Sequence, residues 1–218
     1  NIFNYEDFNT KLKNNNIQLS SANSINWGRL VPQIVYYFSA YADLLQSGKI
    51  SVGTKVNFVV PTGNFGNILA GYYAKLMGLP IHKLICASNA NNVLTDFLNT
   101  GIYDRNRPFY KTSSPSMDIL ISSNLERLLY ALTNADDSKI NKWMKQLYYK
   151  GQYKVDAEVL TSIKENFWSD FADDVNTAET IKTVFEEKGY TLDPHTAVAW
   201  YVADKYKKTT KDELPLVI

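Results

Sequence analysis

An α/β fold, with an open and mostly parallel sheet flanked by helices, is predicted by three features of this sequence. Two short runs rich in β-branched and apolar residues, 55–61 and 81–87, read as buried strands bounded by Gly53, Pro61 and Gly78. Between them Ile68, Leu69, Tyr72, Tyr73 and Leu76 recur at helical spacing. The junction between the first strand and that helix, 61–67, is rich in glycine and asparagine. A strand, helix and strand in so short a stretch give a parallel pair with a crossover, and ligands of open parallel sheets gather at the carboxyl ends of the strands. Residues 61–67 lie at such an end.

Taken in order, the chain starts polar. Leu30, Ile34, Tyr37, Tyr41 and Leu44 then recur at spacings of four and three, and Val31, Phe38 and Leu45 widen the stripe. That pattern predicts a helix apolar on most sides and largely buried, closed at Gly48. After the strand 55–61, the helix beginning at Asn67 ends at Gly78, and the second strand follows. Residues 93–98 form a short helix, 113–116 a turn, and 117–132 a segment helical for most of its length. Further helices are predicted over 139–149, 178–188 and 194–207. Asn176 with Glu179 reads as an N-cap and capping-box partner, and Gly189 as the residue after the last turn of that helix. Asp193 caps a helix whose first position is Pro194. The end, 216–218, reads as a strand beginning, and 205–213 as a charged, solvated stretch. No repeat, linker or break in composition divides the sequence, so residues 1–218 are expected to form a single α/β domain. The absence of an initiator methionine and the apolar ending read as a fragment of a larger chain.

Composition narrows the functions. At 218 residues and 24.8 kDa the chain can bury roughly 70% of the surface it exposes when unfolded. Its 23 basic and 22 acidic residues leave a net charge of +1, which argues against a long-range field aimed at nucleic acid or an anionic membrane. With one cysteine, Cys86, and two histidines, neither a disulfide framework nor a Cys/His zinc site can be assembled, and a metal role is not expected. No apolar run is long enough to span a membrane and no signal segment opens the chain. A cytoplasmic protein acting on a small molecule is the expectation. Tyr37 and Tyr41, at helical spacing without basic neighbours, read as core and not as a stacking surface for single strands.

Chemistry concentrates in Pro61-Thr62-Gly63-Asn64-Phe65-Gly66-Asn67. Two glycines three apart let the backbone turn with several N–H groups facing one way, and the start of the following helix adds its positive dipole end, so a phosphate can be held without a lysine. The same glycines are equally the chemistry of a plain turn. A P-loop would need Gly-Lys-Ser/Thr and a dinucleotide fingerprint Gly-x-Gly-x-x-Gly; neither is present, nor is a Gly-x-Ser-x-Gly elbow. His82 opens a strand and Cys86 sits mid-strand among apolar residues, so both read as structural. His195 either serves the cap of its helix or lines a cleft. Ser116 and Asp118 either reach the cleft or cap a helix start.

With its neighbours the loop resembles the phosphate loop of fold-type II pyridoxal-phosphate enzymes, and Gly63-Asn64-Phe65-Gly66-Asn67 is similar to that of threonine synthases. Asn23-Ser24-Ile25-Asn26-Trp27-Gly28-Arg29 resembles their Asn-Ser-x-Asn-x-x-Arg segment. Ser114-Pro115-Ser116-Met117-Asp118-Ile119 with Ser123-Asn124-Leu125-Glu126-Arg127 resembles a stretch of their longer microbial and fungal branch, and Asp193-Pro194-His195-Thr196-Ala197 fits as well. The resemblance implies the large domain of a fold-type II enzyme. It implies that Gly63, Asn64, Phe65, Gly66 and Asn67 hold the phosphate of pyridoxal 5'-phosphate, mainly by N–H groups. Ser24, Arg29 and Asn64 are implied to bind the phosphate of the substrate, O-phosphohomoserine. The implied reaction eliminates phosphate and adds water to give L-threonine.

The sequence also departs from that family. The lysine that carries the cofactor as a Schiff base sits in a Phe-Lys-Asp-type motif upstream of the loop, and Lys11, Lys13, Lys49 and Lys55 match nothing of the kind. The Thr-Ala-x-Pro segment that follows the strand beginning at Leu216 is likewise not present. A fragment lacking the catalytic-lysine segment, inactive alone and without the cofactor, is therefore expected. The alternatives are another fold-type II enzyme, such as a serine or threonine dehydratase or a cysteine synthase, which has no second phosphate to bind, and a non-catalytic phosphoryl-binding α/β module.

Overall fold

The computed structural model describes residues 5–19 and 25–218. Along the chain come α1 (Glu6–Asn14), α2 (Trp27–Leu30), a 3-10 turn (Val31–Gln33), α3 (Ile34–Gln46), β1 (Val56–Pro61), α4 (Gly66–Leu76), β2 (Ile81–Ser88), α5 (Val93–Thr100) and β3 (Ile102–Asp104). A second 3-10 turn (Pro115–Met117) precedes α6 (Leu125–Leu132), α7 (Asp137–Lys150), β4 (Gln152–Lys154), α8 (Ala157–Asn166), β5 (Phe167–Phe171), α9 (Asp174–Lys188), α10 (Pro194–Thr210) and β6 (Leu216–Val217). Strands β5, β2, β1 and β6 lie side by side in that order, all parallel, with β1 and β2 forming the pair that the two apolar runs predict.

Both faces of the sheet are covered, which is why its strands are apolar on both sides. Val56, Phe58 and Val60 of β1 join Leu84 and Cys86 of β2 in a core shared with α3, α4, α5 and α8. Val59, Ile85 and Ala87 face the other way, onto Val198, Ala199 and Val202 of α10. Asn57, fully buried in β1, is satisfied by the Asp212 carboxylate at 2.9 Å and by the Lys83 N–H at 3.0 Å. Burial pushes the Cys86 thiol up to about 12, as suits an inert core residue. His82 lies 3.8 Å from Asp212, away from the carboxyl ends of the strands. No helix among the described residues is long and apolar enough to cross a membrane.

Several elements differ from the sequence reading. Helix α3 buries only Tyr37 and Tyr41, while Val35 and Tyr36 are 62% and 61% exposed, because a single face meets α4 and Phe58. The expectation of a largely buried helix is thus corrected. The helix expected over 117–132 shrinks to α6. Residues before it are drawn instead into side-chain and backbone hydrogen bonds: Tyr103 donates from its hydroxyl to the Leu120 carbonyl at 3.1 Å and accepts the Ser122 N–H at 2.8 Å. Those tertiary bonds outweigh the weak preference of the sequence for helix. Asp173, not Asn176, caps α9, accepting the Asn176 N–H at 2.8 Å, whereas Gly189 ends it with φ +66° as expected. Helix α8 and strand β5 escaped the periodicity reading. Phe167 and Ser169 point inward and Trp168 packs edge-on against Tyr206.

Candidate phosphate-binding site

The strand β1 ends at Pro61, and five residues later the chain is already in α4. Thr62 belongs to the sheet: its N–H donates to Ala87 O at 2.8 Å and its hydroxyl to Val60 O at 2.7 Å. Its amide is therefore unavailable to a ligand, which trims the loop expected from sequence by one group. Beyond it, no carbonyl or side chain among the described residues takes the N–H of Gly63, Asn64, Phe65, Gly66, Asn67 or Ile68, and the first helical bond runs from Leu69 to Phe65 at 3.1 Å.

The cause is a second segment that holds the carbonyls. The Ser122 hydroxyl donates to Gly63 O, and Asn64 O accepts both the Asn124 N–H at 3.2 Å and its side-chain amide at 3.1 Å. A trans peptide points its C=O and N–H in opposite directions, so fixing these two carbonyls against residues 122–124 turns the N–H groups of Asn64 and Phe65 the other way. Next come the unsatisfied first amides of α4, whose cap, Phe65, contributes no side-chain hydrogen bond. The result is a row of donors at the positive end of a helix.

The glycines serve this loop differently from the sequence reading. Positive φ falls on Phe65 (φ +63°) and not on Gly63 or Gly66. A non-glycine residue there costs about 1 kcal/mol, which burying the Phe65 ring beside Phe167 offsets. Gly63 is required for close approach instead: a Cβ there would meet Ser116 O at 2.9 Å and Met117 Cα at 3.1 Å. The loop thus rests on the 3-10 turn Pro115–Met117.

That turn is itself anchored. Asp118 accepts hydrogen bonds from Asn89 at 2.8 Å, Asn91 at 3.0 Å, and the Thr112 N–H and hydroxyl at 3.0 and 2.7 Å. Partial burial opposes its charge, but the four donors prevail and hold its carboxyl below the ordinary carboxylate value. Asp118 is therefore a scaffold beneath the site and not a helix cap. His195 accepts the Ser116 N–H on Nε2 at 3.3 Å.

Residues 61–68 share a cavity of about 460 Å3 with Arg29, Gln33 and Ser116. Arg29 is carried there by the short helix α2, capped by the Asn26 side chain, which accepts the Gly28 N–H at 2.9 Å. It makes no ion pair with the described carboxylates. Arginine is the single charged residue in the lining, so the cavity suits an anion. Gln33, absent from the sequence reading, lines it one turn after Arg29 and donates to the Arg29 carbonyl at 3.0 Å. Tyr37, core by its helical spacing, also serves the site: its hydroxyl donates to the Asn67 carbonyl at 2.8 Å and its Oδ1 at 2.6 Å, fixing the first turn of α4. Ser24 lies outside the described residues. No lysine lines the cavity, and no cluster of three or more metal-ligating side chains occurs among the described residues.

No protein-family model matches the chain. Over 193 residues, 88% of the chain, it is 50% identical to threonine synthase-like 1 of Macaca fascicularis, of which it covers 26%. It is 45% identical over 210 residues, 90% of the chain, to threonine synthase of Saccharomyces cerevisiae, covering 39% of that protein. Among solved structures, PLP-bound threonine synthase from Brucella melitensis matches 99% of the chain with a TM-score of 0.86 at 40% identity, over 44% of its own length. The yeast threonine synthase structure matches with a TM-score of 0.86 at 39% identity. A pyridoxal 5'-phosphate-dependent aspartate racemase, 11% identical with a TM-score of 0.58, shares the fold. The chain spans well under half the length of the curated relatives it matches.

Proposed function

We propose that this chain, a homologue of threonine synthases, is the phosphate-recognising part of an enzyme converting O-phosphohomoserine and water to L-threonine and phosphate with pyridoxal 5'-phosphate. The observation that carries this reading is the row of uncommitted amides from Gly63 to Ile68 in a cavity whose one charge is Arg29. The donor set fits a phosphate ester: several N–H groups, a helix start and no competing carboxylate. When bound, the cofactor supplies an electron sink for carbanion chemistry.

In this reading Gly63, Asn64, Phe65, Gly66 and Asn67 hold the cofactor phosphate by their amides. Arg29 offers two parallel N–H groups to the substrate phosphate, and Asn64 and Ser24 each add a hydrogen bond to it. Residues 115–118 and 122–124 keep the loop in its binding conformation. The 218 residues contain no Phe-Lys-Asp motif and no lysine lines the cavity, so they bind and orient without supplying the covalent step. A cytoplasmic setting fits this chemistry.

Calorimetry with inorganic phosphate, pyridoxal phosphate and pyridoxal tests the proposal. Inorganic phosphate and pyridoxal phosphate should both bind and pyridoxal should not. Arg29→Ala should weaken phosphohomoserine at least tenfold, the loss of a charge-assisted pair, while changing pyridoxal phosphate binding less. Equal binding of all three compounds would refute the phosphate site. An Arg29→Ala variant with unchanged phosphohomoserine affinity would favour a fold-type II enzyme without a second phosphate.

A further inference from the structure

His195 is tied to the phosphate loop through one intermediary. Its ring lies between the Ser116 N–H and the Asp193 carboxylate. On Nε2 it faces the Ser116 N–H at 3.3 Å, a group that can only donate. On Nδ1 it faces Asp193 Oδ1 at 3.4 Å, a group that can only accept as long as it is ionised. Asp193 is kept ionised by the Thr196 hydroxyl and the N–H groups of Thr196 and His195, which hold its carboxyl below the usual value. With Nε2 accepting the Ser116 N–H, a neutral ring carries its proton on Nδ1, the nitrogen on the Asp193 side.

Ser116 is the middle residue of the turn on which Gly63 sits within van der Waals contact. From one side the turn is held by Asp118 and its four donors. From the other it is held by His195, which arrives on the first turn of α10. We propose that His195 is a positioning residue for the phosphate site: by accepting the Ser116 N–H it pins the floor of the phosphate loop, and thereby sets the loop's affinity for a phosphate group. This proposal rests on the phosphate reading above and adds to it a residue that touches no ligand.

The test uses the 15N-labelled 218-residue chain in three forms: unmodified, His195→Ala and His195→Gln, whose side-chain oxygen can take the same donor. In the unmodified chain the ring nitrogens should show protonated Nδ1. In His195→Ala the Ser116 amide should move upfield and lose exchange protection, and inorganic phosphate, followed on the amides of residues 64–68, should bind five- to tenfold more weakly. His195→Gln should return both readouts to within about twofold of the unmodified chain, separating the acceptor's role from ring packing. A ring protonated on Nε2, or a phosphate affinity equal in the alanine and unmodified forms, would overturn the proposal. If the unmodified chain binds no phosphate at all while the Ser116 amide still responds to His195→Ala, the phosphate reading fails and the His195–Ser116 contact is reduced to a local anchor.

Discussion

Gly63→Ala probes the contact on which the loop's geometry depends. The new Cβ would lie 2.9 Å from Ser116 O and 3.1 Å from both Met117 Cα and Ile119 Cδ1. Two of these atoms are backbone of a turn fixed from both sides, so relief requires the loop or the turn to shift. Overpacking of this kind costs about 1–3 kcal/mol. Because φ at Gly63 is not positive, the penalty is steric and carries no additional backbone strain. For a domain of this length each kcal/mol lowers the melting temperature by about 2–4 °C, so a fall of about 2–12 °C is expected. A loop displaced from residues 122–124 also misaims its amides, and losing one charge-assisted bond should weaken phosphate at least tenfold. Calorimetric melting with a phosphate titration reads both effects. Adding Ile119→Val, which removes the Cδ1 contact, should recover part of the stability and little of the affinity, since Ser116 O remains. A Gly63→Ala chain that melts and binds like the parent would refute the close-approach argument.

Other consequences are independent of that contact. Tyr37→Phe keeps the ring against Phe58 but removes the hydroxyl that fixes Asn67; urea unfolding should show a loss of about 1 kcal/mol, together with weaker phosphate binding. Asp118→Asn sets an amide donor against the donors of Asn89, Asn91 and Thr112 and should destabilise the chain at neutral pH. Because the Asp118 carboxyl is depressed in the folded state, its contribution is present above the unfolded value of about 4 and fades as pH falls through the folded value. The stability gap between parent and variant, measured by urea midpoints, should accordingly narrow below about pH 4; a gap constant with pH would contradict it. Buried Cys86, with its thiol pushed up to about 12, should react with a disulfide reagent only at the rate of unfolding, and fast stoichiometric labelling of native protein would be inconsistent with this burial.

The parallel core was legible because β1, α4 and β2 obey local rules: two apolar runs, a helical stripe between them and glycine at the helix end. The strand β5 was not, since Phe167-Trp168-Ser169-Asp170-Phe171 alternates over too few residues and carries a charge. Its place comes from pairing with β2 along 84–88. The candidate site was half legible. Gly63 and Gly66 flagged the loop, yet the positive φ went to Phe65, because a buried aromatic can stabilise a conformation that intrinsic preference disfavours. That the amides are uncommitted depends on Ser122 and Asn124, far along the chain, taking the carbonyls. No periodicity encodes that. Gln33 carried a signal in its spacing of four from Arg29, which a reading of one helical face past the arginine would have found.

Phosphate recognition by this chain depends most on the amides of residues 63–68 being aimed at one phosphate. Titrating the 15N-labelled chain with inorganic phosphate tests this residue by residue. Downfield shifts of the Asn64, Phe65, Gly66 and Asn67 amides along one saturable curve, with Thr62 unmoved because its N–H stays on Ala87, are the predicted result. Shifts scattered over surface lysines, or a loop whose amides do not respond while another region saturates, would contradict it.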